Sequence, residues 1–453
     1  MKTYLKLSVI GSVLGALVYM SRPDLALALS HNHTVAKATK GASRFVQVEA
    51  HSKEERTELA NLGLSIEFVK SDSVWGFATP KLVKLIKQTT KFKVLEDNDK
   101  SVGRGGHQGA LDFPVEDEKF HNYTELQTEL KQLAQKYPNR VALKTIGKTT
   151  EGRDIFAVNI NTSPEDLKNG HSSKAGVIFM GNHHAREHLS VEIPLMLAKH
   201  LAEKAGTHPL NQFIEARDIW IIPMVNPDGA EYDVASGKYK MWRKNRRNNL
   251  DGTYGVDLNR NYGFGWGTGG SSTDTDSDIY MGEAPFSEPE TQAIRDFVKT
   301  KPNATSLLSF HTYSELILYP WGGKYESVPV ESDRKTFETM ALTMSKWNHY
   351  KPEQSSDLYI ASGDTTDWAY GELGMFAFTF ELSPGRSGGG GFYPGQKVIE
   401  STFKANLNPC LYMIEVANDP KQVLKPHFQS LLENDFMPLP KLEVNTIQAA
   451  ALQ

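Results

Sequence analysis

The sequence predicts an α/β protein: a mixed, mostly parallel sheet flanked by helices, preceded by a small ferredoxin-like α+β unit. Two patterns carry this expectation. From residue 112 onward, short apolar runs that read as buried strands (Val177–Met180, Ile219–Val225, Thr305–Phe310 and Met375–Phe380) alternate with amphipathic stretches at helical spacing (Leu189–Ala205, Phe337–Trp347 and Val398–Val416). Strands covered on both faces by intervening helices make a largely parallel or mixed sheet. Before residue 99 the order is strand, helix, strand, strand, helix, strand, that of a split β-α-β unit.

Taken in order, Phe45–Glu49 alternates as a strand, and Ser52–Leu62 is charged and helix-forming. Ser65–Ala78 reads as two strands around the turn Ser71-Asp72-Ser73. Pro80–Gln88 is a helix with proline at its first position, and Phe92–Leu95 is a last strand. This small domain is bounded at 29–98. Residues 99–111 hold Gly103, Gly105, Gly106 and Gly109 without apolar periodicity, which marks a flexible linker. Lys100 and Arg104 open that linker to trypsin-like cleavage. The large domain is bounded at 112–418. In it, Tyr123–Tyr137 is helical and stops at Pro138, while Val141–Ile146 and Ile155–Ile160 are strands. Ser287-Glu288-Pro289-Glu290 predicts a capping box at the start of a helix running to Lys299. After Asp419, four prolines (Pro420, Pro426, Pro438 and Pro440) mark an appended tail, 419–453.

A net charge of -4 over 453 residues gives no bulk attraction to nucleic acid or anionic membranes, and none is expected as a partner. The basic run Trp242–Arg247 is too short to change that. Cys410 is the one cysteine, which excludes an intrachain disulfide and reads as a small core hydrophobe. Lys2 and Lys6, the apolar run Leu7–Met20 and Ala26-Leu27-Ala28 predict a signal peptide, 1–28. The run is too short for a good membrane span, so a secreted (extracellular or periplasmic) protein without membrane association is expected. A small domain, a cleavable linker and a large domain form the layout of a zymogen, whose partner is an activating protease.

The densest chemistry is Gly181–Ser190, which holds His183, His184, Arg186, Glu187 and His188 on a strand-to-helix turn. Clusters of histidine and carboxylate are the currency of metal sites. Two readings stand side by side. His184 and Glu187 can be two ligands with a distant third, or His184 and His188 can be ligands of an inverted zincin with Glu187 as the base. Ser309-Phe310-His311 puts a histidine at the end of a buried strand, suited to a third ligand. Phe378–Glu381 puts a carboxylate at another strand end, where a dry cleft would raise its pKa towards acid–base work. Asp257–Tyr262 groups Asp, Asn and Arg, and an Arg fork beside an amide donor suits a planar carboxylate.

Taken together these stretches resemble the zinc metallocarboxypeptidase family of the carboxypeptidase A/B type, most like its bacterial carboxypeptidase T branch. The resemblance spans roughly residues 112–417. It rests on His184-Ala-Arg-Glu187-His-Leu, Asn226-Pro-Asp-Gly229, Trp242-Arg-Lys-Asn-Arg246, Asp257-Leu-Asn-Arg-Asn261, His311–Pro320, Ser356-Asp-Leu-Tyr359, Gly363-Asp-Thr-Thr-Asp-Trp368 and Phe378-Thr-Phe-Glu381. One departure is Ala230, where the family more often has Tyr or Phe. The resemblance implies a zinc carboxypeptidase-like fold behind a pro-domain and activation linker. It makes His184, Glu187 and His311 the ligands of one Zn²⁺, with Asp257 supporting His184. Glu381 becomes the general base toward the attacking water, and Arg243 the oxyanion stabiliser. Asn259, Arg260 and Tyr359 grip the substrate's terminal carboxylate. Arg186 and Tyr313 touch residues further up the substrate, and Phe392 is an apolar wall. The substrates implied are the C-termini of peptides and proteins.

Ala361, Ser362, Asp364, Thr365 and Thr366 are expected to shape the specificity pocket. Strictly basic-specific relatives carry an acid at the place of Thr366; its absence, with Asp364 nearby, predicts broad specificity for apolar, aromatic and some basic C-terminal residues. The acid-rich loop Ser271–Asp278 carries hard oxygen ligands of the kind Ca²⁺ takes, against the plainer reading of a solvated loop.

Overall fold

The computed structural model describes residues 43–98, 113–204, 214–385 and 390–426. The expected signal peptide 1–28, the linker 99–111 and all of the tail beyond residue 426 lie outside the described residues. The small unit runs β1 (Arg44–Glu49), α1 (Lys53–Asn61), β2 (Ser65–Val69), β3 (Ser73–Ala78), α2 (Pro80–Gln88) and β4 (Val94–Asn98). Its strands pair antiparallel in the order β2-β3-β1-β4, the ferredoxin-like arrangement. Ser52 caps α1 and Thr79 caps α2, each accepting from a backbone N–H of the first turn. Alternation along β1 sends Val46 and Val48 into a core with Leu59, Leu82, Val83 and Ile86. It leaves Phe45 on the other face, stacked with Trp75 and close to Phe77.

The large domain begins with α3 (Tyr123–Lys136), β5 (Val141–Lys148), β6 (Asp154–Ile160), α4 (Pro164–Asn169), β7 (Ala175–Gly181), α5 (Leu189–Lys204), β8 (Arg217–Ile222) and α6 (Pro227–Val234). It continues with α7 (Pro289–Lys299), β9 (Ala304–Thr312), β10 (Leu316–Tyr319), α8 (Glu331–Asn348), β11 (Lys351–Gln354), α9 (Thr365–Leu373), β12 (Phe376–Leu382) and α10 (Ile399–Val416). Eight strands form one sheet in the order β11-β10-β12-β9-β7-β8-β6-β5. The centre is parallel: β12 with β9, β9 with β7 and β7 with β8. The β10–β12, β6–β8 and β5–β6 pairs are antiparallel, so the sheet is mixed.

Strict alternation along the central strands sorts the core into two layers. Phe179, Leu308, Phe310, Phe378 and Phe380 join Leu195, Phe337 and Tyr412 on one face. Ile178, Met180, Trp220, Leu307 and Ala377 meet Ile294, Phe297 and Trp368 on the other. Each such side chain contributes about 1.5–3 kcal/mol when fully buried, so both faces are strongly specified. The capping box expected at Ser287–Glu290 does not form. The helix starts at Pro289 behind Glu288 at the N-cap, which makes no side-chain capping bond: its carboxylate accepts from Asn245, Arg247 and the Ser287 hydroxyl instead. A short 3₁₀ turn, Pro420–Leu424, buries Val423, so the first residues after 418 pack on the domain. Among the described residues, no helix is long and apolar enough to cross a membrane.

Candidate active site

The parallel strands β7, β9 and β12 end at the same edge of the sheet, and the polar motifs follow them there. β7 stops at Gly181, where a Cβ would lie 1.9 Å from the Ser190 carbonyl oxygen, so only glycine permits so close a return of the chain. Asn182 then turns through a left-handed conformation (φ 59) and its amide donates to the carbonyls of His184 and Ala185. This turn sets His184 and Glu187 side by side before α5. His311 lies one residue from the end of β9, in register with Glu381 on β12.

His184 Nδ1 is 2.7 Å from Glu187 Oε1, and His311 Nδ1 is 3.0 Å from Glu187 Oε2. The two Nδ1 atoms are 3.1 Å apart, and one ligand atom from each of the three residues lies within 4.8 Å of the others. Burial pushes the His311 imidazole below its usual pKa, towards the neutral form that binds metals. Two imidazole nitrogens and a carboxylate converging on one buried point fit Zn²⁺, which these three residues would hold. His188 does not join them: its Nε2 meets Asp233 at 2.9 Å and it stands outside the cluster of His184, Glu187 and His311, which removes the inverted-zincin arrangement.

Asp257, fully buried, ties two functions together. One oxygen meets His184 Nε2 at 3.2 Å, and the other receives Nε and Nη2 of Arg243 at 3.0 Å each. Sequence reasoning assigned Asp257 to His184 alone; its hold on Arg243 emerges only from the folding of 243 against 257. Glu381 lines the cleft beside the triad. Burial first, and then the charge of Glu187, push its carboxyl well above the usual range, opposed by Arg243 and Arg260.

Further into the cleft, Arg260 is fixed by its own backbone-directed bonds, Nε to the Gly270 carbonyl at 3.0 Å and Nη1 to the Asn259 carbonyl at 2.8 Å. Asn259 stands beside it on the wall, with Tyr359 and Thr366. Asp364 caps α9: its Oδ1 accepts from the Thr366 and Asp367 N–H groups and from the Thr366 hydroxyl. Its Oδ2 is buried without a hydrogen-bond partner among the described residues and lies beside Gly322 at the cleft lining. Burial raises the Asp364 carboxyl above its ordinary range. Tyr313, on the cleft lining, meets Phe392 edge to face at 5.1 Å.

Arg186 is wholly buried, contrary to what a polar turn suggests. Its guanidinium lies between the rings of Phe392 and Phe77, with centroids 4.4 and 4.6 Å away, and pairs with Asp278 at 3.2 Å and Glu67 at 2.7 Å. Phe77 and Glu67 belong to the small N-terminal domain. Strand β2 of that domain lies over the cleft, where Ile66, Glu67, Phe68 and Val69 form part of the lining and the Tyr359 hydroxyl donates to the Ile66 carbonyl at 3.1 Å. Additional bonds dock the domain: Gly270 N–H to Asn61, Ser277 hydroxyl to the Gly63 carbonyl, and Ile360 N–H to Thr57. Sequence reasoning missed Glu67, although a lone acid between Ile66 and Phe68 in a strand is itself a signal. In the acid-rich loop, Asp274 pairs with Lys81, and the ammonium of Lys244, buried behind it, donates to the Thr275 carbonyl at 2.7 Å.

Comparison with known proteins agrees with this geometry. The zinc carboxypeptidase family model matches residues 126–409. A zinc carboxypeptidase of Saccharothrix mutabilis subsp. capreolus is 34% identical over 400 residues, covering 84% of this chain and 91% of that protein. Carboxypeptidase B of Astacus astacus is 31% identical over 297 residues, covering 63% of this chain and 94% of its own. Among solved structures, carboxypeptidase A from Helicoverpa armigera shares the fold with a TM-score of 0.67 at 24% identity, covering 85% of this chain and 99% of that one. With the family matched over more than half its length, the chain belongs to the zinc carboxypeptidase family.

Proposed function

We propose that this zinc metallocarboxypeptidase is a secreted enzyme made as a zymogen, which removes C-terminal residues of broad character from peptides and proteins with Glu381 as general base. The observation that carries the reading is the register of β12 on β9, which sets Glu381 beside His311 and so beside the whole triad. His184, Glu187 and His311 would hold the metal. Bound there, Zn²⁺ supplies Lewis acidity, lowering the pKa of a bound water to about 7. Glu381, on the cleft lining, takes the proton from the attacking water and returns it to the leaving amine. Arg243, aimed by Asp257, answers the charge that develops on the scissile carbonyl oxygen. Asn259, Arg260 and Tyr359 hold the terminal carboxylate, which restricts cleavage to the last bond. Arg186, Tyr313 and Phe392 contact residues upstream of it.

The zymogen reading is supported by β2 lying across the cleft with Glu67 on Arg186, which stands where an upstream substrate residue would bind. Activation then requires a protease to cut the linker. Breadth of specificity is supported by Asp364, whose buried, unpartnered oxygen would pair with a C-terminal Lys or Arg, and by Thr366 on the cleft lining, where no acid excludes an apolar residue. The test is C-terminal trimming of peptides ending in Phe, Leu and Arg by linker-cleaved protein, with and without a chelator. The reading expects release of all three, abolished by the chelator, loss of all activity in Glu381→Gln, and selective loss of Arg release in Asp364→Asn. Internal cleavage, or full activity of Glu381→Gln, would reject it.

A further inference from the structure

We propose that His183 is a positioning residue: a one-way chain of hydrogen bonds through it ties the tautomer of the metal ligand His311 to the orientation of the amide of Asn259. The proposal rests on the functional reading only in taking His311 as a ligand and Asn259 as a carboxylate grip. His183 is fully buried, as are Ser309 and Tyr262, with Thr365 nearly so. On one side, His183 Nδ1 lies 3.4 Å from Ser309 Oγ, which is 3.1 Å from His311 Nε2. On the other, His183 Nε2 lies 2.8 Å from the Tyr262 hydroxyl and 3.1 Å from Thr365 Oγ1. Thr365 in turn donates twice to Asn259 Oδ1, from its hydroxyl at 2.8 Å and its backbone N–H at 2.9 Å.

The direction of every proton follows from the two ends. His311 Nδ1 faces Glu187 and must be bare to ligate, so the ring's proton sits on Nε2 and is donated to Ser309 Oγ. The Ser309 hydrogen then finds its acceptor in His183 Nδ1. That places the His183 proton on Nε2, shared between Tyr262 and Thr365. The Thr365 hydroxyl passes its own hydrogen to Asn259 Oδ1. An amide whose oxygen is held by two donors has its NH₂ turned the other way, and Asn259 stands on the cleft wall. A reversed Asn259 amide would set its NH₂ against the Thr365 backbone N–H, and the other tautomer of His183 would leave the Ser309 hydrogen without this acceptor in a dry interior. A histidine that only fills space would need none of this polarity. The signal in the sequence is the pair Ser309 and His311, which share one face of a strand, beside a second histidine next to His184.

The test uses linker-cleaved enzyme carrying Ser309→Ala, His183→Phe, Thr365→Val or Thr365→Ser. Zinc affinity is read without substrate, by competition with a chromogenic chelator. Steady-state kinetics use an N-blocked dipeptide ending in Phe. Loss of outer hydrogen bonds to metal ligands lowers metal affinity about 10–100-fold, and that loss is expected for Ser309→Ala and His183→Phe. Thr365→Val is expected to raise KM about tenfold with kcat kept, and Thr365→Ser, which restores the hydroxyl, to return KM to the wild-type value. If His183→Phe does not fold, Ser309→Ala and Thr365→Val, each removing one hydroxyl, decide the matter. Wild-type zinc affinity in Ser309→Ala, or wild-type KM in Thr365→Val, overturns the proposal. Failure of the functional reading would show instead in the wild type, as absence of chelator-sensitive C-terminal release.

Discussion

Replacing Glu67 by Gln in the uncleaved chain should release latent activity. The Glu67 and Arg186 side chains are 5% and 0% exposed and 2.7 Å apart. Removing one partner of a buried ion pair costs about 3–5 kcal/mol. Arg186 keeps Asp278 and the Met241 carbonyl, each at 3.2 Å, and glutamine still offers one acceptor, so about 2 kcal/mol is the appropriate share. At about 1.4 kcal/mol per tenfold, the undocked population rises roughly 30-fold. The assay is the initial rate on an N-blocked dipeptide, with the linker intact and protease inhibitors present, against the fully cleaved enzyme. The pair Lys81–Asp274 joins the same two domains, but Lys81 is 82% exposed, so Lys81→Ala should change the rate no more than about twofold. Equal rates for Glu67→Gln and wild type, or an equal effect of Lys81→Ala, would refute the assignment of Glu67 as the latch.

Two further outcomes follow from buried charges elsewhere. Asp257→Asn keeps the shape but weakens the hold on both His184 and Arg243; zinc affinity by chelator competition should fall about 10–100-fold, and kcat should stay depressed even at saturating zinc. A variant whose kcat recovers fully with added zinc would show that Asp257 does not aim Arg243. At the start of α3, burial alone would lower the pKa of His121, but Glu192 at 2.8 Å and Glu129 at 3.3 Å raise it to about 9. Because the folded pKa lies above the unfolded one, this stabilisation is fully present below about pH 6.5 and is lost as pH rises through about 9. Allowing for partial exposure it is about 2 kcal/mol. The urea midpoint of wild type should therefore fall between pH 6.5 and 10 relative to His121→Asn; parallel curves would remove His121 from that role.

His184, Glu187, His311 and Glu381 were legible because each ends or follows an apolar run, whereas Arg243, Asp257, Asn259, Arg260 and Tyr359 rested on the resemblance. Val177–Met180, Thr305–Phe310 and Met375–Phe380 are apolar enough to read as buried strands, so the polar residues after them had to face a common edge. What the letters could not show is register. Glu381 opposite His311, and Arg243 folded onto Asp257, depend on which strands are neighbours, and strand order is not written in any local period. The strands β10 and β11 went unread because each spans four residues, and β11 carries Pro352. The nine-residue helix α9 went unread because it is buried at Thr365, Thr366, Asp367, Trp368 and Ala369 in succession, which erases the 3.6-residue alternation. Its N-cap, Asp364, was legible as a pocket residue but not as a cap.

The environment of Arg186 links the two states proposed for the enzyme. A guanidinium without solvent exposure needs its charge answered in every state that buries it. With the small domain docked, Glu67 and Asp278 do this, and Phe77 covers one face while Phe392 covers the other. Departure of the small domain takes away Glu67 and Phe77 together, leaving Asp278, the Met241 carbonyl and Phe392, and freeing the Nη2 group that Glu67 had held. In the proposed reading an upstream carbonyl of the substrate would accept from that guanidinium, with Phe392 as the surface on which it packs. If Arg186 binds substrate as proposed, the contacts that hold the small domain down are the ones a substrate would replace, so a longer peptide would compete with docking better than a short one. In the proposed reading a dipeptide would reach only Asn259, Arg260 and the pocket at Asp364, and would have no claim on Arg186.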